Sequence, residues 1–206
     1  MTREKGIIIA ARVISIVFTP FYLPLVGQIA LFSFSYMNQM PKEFKLQVLL
    51  LTYLFTILIP TMLIYLYRKL MGWTLRDLSR KHRRIVPYAI SIASYLTCVH
   101  LMYTYHIFHF IVIIIIAALV VQAACVLINI FWKISTHTAA VGGVAGGLLA
   151  FAELFMFNPV MWLCLVLIVA GVLGSARIIL RQHTLGQVVA GFIVGFFCSG
   201  YTILYI

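Results

Sequence analysis

Residues 109–132 read HFIVIIIIAALVVQAACVLINIFW and carry no charged side chain. A bilayer crossing needs about 20 mostly apolar residues in a row. This stretch meets that length by itself, and similar apolar stretches recur on both sides of it. Working outward, apolar segments run over 7–37, 46–67, 85–105, 138–157, 160–176 and 184–206. Polar breaks separate them. The first segment is interrupted by Pro20 and Pro24, and Pro60 predicts a kink in the second. The reading is an all-α polytopic transmembrane helical bundle of six to seven membrane segments. It forms one integral membrane domain over 1–206, with an interfacial or amphipathic N-terminal helix over 1–20 and a basic extramembrane loop over 68–84.

Composition agrees. Hydrophobic residues make up 64% of the chain and charged residues 9%, against about 45–50% and about 25% in a soluble domain. Lys and Arg number 15, Asp and Glu 4, and the formal charge is +11. The excess arises from a scarcity of acids, with bases spread over a very apolar chain. These numbers exclude an ordinary soluble domain and a disordered basic tail, and argue against a nucleic-acid partner. Cys98, Cys125, Cys164 and Cys198 each sit in an apolar run without metal-ligand spacing, and are expected as small buried hydrophobes. The N-terminal basic-then-apolar pattern lacks a clear small-residue cleavage site, so it is read as part of the mature chain.

Parity places the polar clusters. Two crossings separate the basic residues of 68–84 from His137, and two more separate His137 from Arg177–His183. All three clusters therefore reach one membrane face. His137 and His183 each stand where a polar loop enters an apolar helix, and each is followed by a Thr able to cap that helix. Helix starts favour phosphate. Two histidines among guanidinium groups, without neighbouring carboxylates, suit an anionic substrate and suit a metal poorly. The structural alternative for each Lys or Arg is a plain topology signal.

Gln187 has two readings. One turn beyond His183, it can orient the imidazole. It also completes the capping box Thr184-Leu185-Gly186-Gln187, and a side chain bonded back to the cap is then unavailable to His183. Glu153 is the only acid inside a predicted span. It lies about 24 Å along the helix from His137, and is expected to be structural, bonded to Asn158 or to the 109–132 segment. His100, His106 and His109 fall at the opposite face. Gly142, Gly143, Gly146 and Gly147 allow a close helix approach.

These residues resemble the type 2 phosphatidic acid phosphatase superfamily of membrane phosphatases. Its third motif is Ser-Arg, five residues, His, three residues and Asp. Here Ser175-Ala176-Arg177, His183 and Gln187 keep the Arg, the His and the spacing. The second motif, Pro-Ser-Gly-His, survives as Ser135-Thr136-His137, and the first is reduced to the basic stretch Arg80 to Arg84 before Pro87. The resemblance implies His183 as nucleophile and His137 as general acid. It further implies Lys81, Arg84, Ser135, Thr136 and Arg177 as phosphate ligands, and no metal or other cofactor. Gln187 in place of Asp, followed by Val188, resembles the dolichyl-diphosphate phosphatase type, which implies a membrane lipid substrate with a phosphate or diphosphate head group, such as a polyprenyl diphosphate. The altered motifs leave open a non-catalytic protein that binds or transports anionic lipids. The implied location is the bacterial inner membrane. Charge counting puts the active face in the cytoplasm, since it gathers every Lys and Arg except Lys42 and Lys45. The resemblance implies the periplasm.

Overall fold

The computed structural model describes residues 3–72 and 85–206, apart from the side chains of residues 3, 36 and 85. Its helices are α1 (Arg3–Val17), α2 (Leu23–Phe34), α3 (Lys42–Tyr53), α4 (Ile59–Leu70), α5 (Ile85–Thr104), α6 (His109–Phe131), α7 (Thr136–Phe155), α8 (Val160–Ile179) and α9 (Leu185–Tyr205). Among the described residues, seven helical stretches are long and apolar enough to cross a membrane: Glu4–Phe34, Lys42–Leu70, Val86–Thr104, His109–Phe131, Thr136–Phe155, Val160–Ile179 and Leu185–Tyr205. The protein is an integral membrane protein with an all-α fold. Phe131, Met161 and Phe197 project outward from the bundle, as side chains facing hydrocarbon do.

Prolines shape the first two stretches. The chain leaves α1, makes a single 3-10 turn at Pro20–Tyr22 and re-enters helix at Leu23. α1 packs along α8 and buries Ala11. Before Pro60 the helix widens into a π turn over Leu54–Leu58, because the proline ring removes one N–H and crowds the preceding turn. Ser94 of α5 donates to the Phe55 carbonyl within that turn. Next to it, Gln28 Oε1 accepts from Thr52 Oγ1 at 2.6 Å, and Gln28 Nε2 donates to the Ile111 carbonyl at 3.4 Å. Both side chains are fully buried. These bonds join α2, α3, α5 and α6 inside a core of large residues that includes Phe32, Met102 and Ile111.

The C-terminal half is built differently. α7 and α9 cross with backbone against backbone. A Cβ on Gly142 or Gly146 of α7 would overlap the carbonyls of Phe192 or Phe196, and one on Gly195 of α9 would overlap the Ala139 carbonyl. Gly191 would meet the Ser135 carbonyl at 2.5 Å and Thr138 Oγ1 at 2.6 Å. Hydrocarbon gives helices no hydrophobic reason to associate, so such close packing supplies the attraction. The glycines of each helix seat against the backbone of the other, and the register between α7 and α9 is thereby fixed.

Three expectations need correction. Cys164 is exposed on α8, while Cys98 and Cys125 are buried as expected and Cys198 is half-buried. Glu153 is exposed, and Asn158 Oδ1 accepts from the Val160 N–H at 3.0 Å. Asn158 thus spends its side chain on starting α8. The cap of α7 is Ser135, whose Oγ accepts from the Thr138 N–H, so Thr138 lies inside the first turn.

Gly195→Val is expected to destabilise the protein by about 1–3 kcal/mol through overpacking, lowering Tm by about 5 °C. Gly171→Ala adds a methyl that would meet nothing within 4 Å, and should shift Tm by less than about 2 °C. Thermal unfolding in detergent compares them. Equal Tm values would show that the glycine contact does not hold the two helices.

Candidate active site

The site forms where α7 begins, α8 ends and α9 begins. α7 starts at Thr136 behind its cap, Ser135, which is fully buried. Thr138 Oγ1 also donates back to the Ser135 carbonyl at 3.1 Å. His137 is in the first helical turn and half-buried, as is Thr136. First-turn N–H groups point out of the helix end and bring a partial positive charge.

α8 ends in a Schellman turn. The Gln182 N–H reaches the Arg177 carbonyl at 3.1 Å and the Arg181 N–H reaches the Ile178 carbonyl at 2.8 Å. This geometry requires a left-handed residue, which glycine normally supplies; here Arg181 takes it, at φ 52°. The chain turns tightly between Arg177 and His183. Both side chains are buried, each at 7% exposure. Lys133 Nζ donates to the Gln182 carbonyl at 2.7 Å, tying this turn to the segment before α7.

Gln187 resolves the two readings by satisfying both. Its Oε1 accepts from the Thr184 N–H at 3.2 Å and lies 3.1 Å from His183 Nδ1. The Gln187 N–H in turn donates to Thr184 Oγ1 at 3.4 Å, closing the capping box. The expectation that capping removes Gln187 from His183 is therefore overturned. A carbonyl oxygen has two lone pairs and can serve two donors. The backbone N–H of Thr184 can only donate, so it fixes which end of the Gln187 amide faces it. The oxygen held there demands a proton on His183 Nδ1. Nε2 then carries the lone pair of the neutral ring.

The two helix starts are joined directly, since the Ser135 N–H donates to the Gln187 carbonyl at 3.3 Å. Ser135, Thr136, His137, Arg177, His183 and Gln187 thus gather at one end of the bundle. The parity argument holds for the second and third clusters. Lys81 and Arg84, with Arg80 and Arg83, lie outside the described residues. Among the described residues, no group of three or more His, Cys, Asp and Glu side chains could hold a metal ion. Sequence reasoning passed over Gly195, whose bare Cα sets the depth of α9 against α7. The Gly191–Gly195 spacing was its signal, and it gains meaning only once α9 is paired with α7.

The model of the PAP2 superfamily, the type 2 phosphatidic acid phosphatases, matches residues 128–206. That span contains α7, α8 and α9 and all of the described candidate site residues. No curated protein and no solved structure matches significantly.

The tautomer is directly measurable. In protein carrying ¹⁵N-labelled histidine rings, His183 is expected to be protonated at Nδ1 in its neutral form. Gln187→Leu should abolish that preference. A neutral ring protonated at Nε2 in the parent protein would refute the arrangement.

Proposed function

We propose that this protein is a metal-independent phosphatase of lipid phosphates or diphosphates working through a phosphohistidine on His183. One observation carries the reading: His183 is buried with its Nδ1 3.1 Å from Gln187 Oε1, on the turn that follows the equally buried Arg177. An imidazole held in this way presents Nε2 as a nucleophile. The family match over the same residues supports phosphate-ester chemistry.

In the first step Nε2 of His183 attacks phosphorus, and the bond from phosphorus to the leaving oxygen breaks. His137, as imidazolium, gives that oxygen its proton. In the second step water attacks the phosphohistidine and passes its proton to His137. The phosphorus–nitrogen bond breaks, phosphate departs and His183 is restored. Arg177 and Ser135 bind the phosphoryl oxygens, together with Thr136 and with Lys81 and Arg84. Preorganised cationic and hydroxyl donors favour the charge of a transferring phosphoryl group. Ser135 is suited to this because its Oγ already accepts from Thr138 and retains its own proton to donate.

The resemblance around Gln187 and Val188 favours a polyprenyl diphosphate among the lipid substrates. Gln187 orients the ring without adding charge, so the phosphoryl group itself balances the positive charge that develops on His183. The deciding assay is phosphate release by purified protein in detergent with EDTA. Its substrates are a polyprenyl diphosphate, a phosphatidic acid and a phosphatidylglycerol phosphate. His183→Ala should reduce release to background, and His137→Ala by about 100-fold or more. Absence of release from all three substrates would overturn the enzyme in favour of an anionic-lipid binding protein.

A second prediction uses Gln187→Glu. A carboxylate can make the same two contacts but favours the protonated ring. The neutral nucleophile would then appear only at higher pH. The acid limb of kcat/KM should move to higher pH relative to the parent protein. An unmoved limb would show that Gln187 does not act on His183.

A further inference from the structure

An apolar groove of about 380 Å³ opens between α8 and α9, with Thr138 of α7 at its inner wall. That volume falls within the range of small-molecule clefts. Its floor exists because α8 carries glycine there. Gly174 packs tightly, since a Cβ would lie 2.8 Å from Val188, whereas a Cβ on Gly171 would meet nothing within 4 Å. Leu167 and Ile178 mark its extent along α8, about 16 Å by helical rise. This is about half of a hydrocarbon core. Thr138 turns its hydroxyl to the Ser135 carbonyl and presents its methyl to α8. Apart from Ser175, the lining therefore stays apolar toward the site.

The groove ends next to the candidate site, since Thr138, Ile178 and Val188 line it and directly follow His137, Arg177 and Gln187 in the chain. Gly174 lies one turn before Arg177 on α8, and Val188 directly follows Gln187 on α9. A phosphate held by Arg177 and attacked by His183 would leave its alcohol or diphosphate substituent at the groove mouth. We infer that this groove holds the hydrocarbon tail of the substrate, running from the site toward the bilayer middle along Gly174 and Gly171. This rests on the phosphatase reading for its head group. The tail's occupancy is the new element. A cationic site adjoining a charge-free groove complements an anionic amphiphile.

A neighbouring groove of about 500 Å³ between α1 and α8 shares Gly171 but also includes Val172, which supplies the control. Gly171→Leu and Ala170→Phe fill the proposed groove, while Val172→Phe fills only its neighbour. The assay compares farnesyl diphosphate with dimethylallyl diphosphate, which share a head group and differ in tail length. Each variant of the full chain is measured for phosphate release. Each is also measured on a His183→Ala background for thermal stabilisation by either ligand, which reports binding without turnover.

Gly171→Leu and Ala170→Phe should lower kcat/KM for farnesyl diphosphate by about tenfold. They should also remove most of its extra thermal stabilisation, and leave dimethylallyl diphosphate within about twofold. Val172→Phe should change neither ligand. Equal losses for both ligands, no loss for either, or the same effect from Val172→Phe would overturn the tail assignment. Failure of the parent protein to release phosphate, with tail-dependent stabilisation intact, would overturn the phosphatase reading and leave the groove standing. Lack of tail-dependent stabilisation would overturn the groove, whatever the turnover.

Discussion

The close backbone contact between α7 and α9 is the constraint from which the site follows. Gly142 and Gly146 lie against Phe192 and Phe196, and Gly191 and Gly195 against Ser135 and Ala139. With no side chain between them, the two backbones have little freedom to slide. A slip of one helical turn would displace the helix starts by about 5.4 Å. It would break the bond from the Ser135 N–H to the Gln187 carbonyl and shift the start of α7, with His137, against the start of α9. The catalytic arrangement proposed here is thus a consequence of helix register. The register comes from residues that take no part in chemistry.

Within that frame, Gln187 links helix termination to ring chemistry. The backbone donor of Thr184 orients the amide, and the amide orients the ring. A carboxylate could accept the same two bonds, but its charge at this half-buried position would favour the protonated ring over the neutral nucleophile. Gln187 avoids that bias while keeping the tautomer. The amide cannot flip without losing the Thr184 bond, so its oxygen stays turned to His183.

The spans were legible because a bilayer sets their length, and runs such as 109–132 meet that length without any charge. The break at Pro20 and the turn at Asn158-Pro159 were legible because proline and asparagine have local preferences that few tertiary contacts override. The α7 cap was misjudged because Ser135, Thr136 and Thr138 all offer capping hydroxyls. Docking of Ser135 onto the Gln187 carbonyl selects among them, and that contact is distant in sequence. The two roles of Gln187 looked exclusive only while its oxygen was counted as a single acceptor. The π turn over Leu54–Leu58 carries no sequence signal beyond Pro60, since its stray carbonyl is satisfied by Ser94 from another helix.

The two halves of the bundle solve packing by different means, and α6 belongs to both. Toward α3 and α5 it gives Ile111, Val112 and Ile115 to a core of large side chains. Further along, Val121 and Cys125 cluster with Ile134 and Ala139. The first core excludes space through volume and is tied by the buried Gln28–Thr52 pair. Such a core tolerates small adjustments of helix position, because large side chains repack. The α7–α9 crossing beside the second core has almost no side-chain volume to adjust and therefore transmits position rigidly. A phosphoryl-transfer site needs atoms held to fractions of an ångström. The site proposed for that chemistry sits on the rigid half, at the end where the bare backbones of α7 and α9 meet.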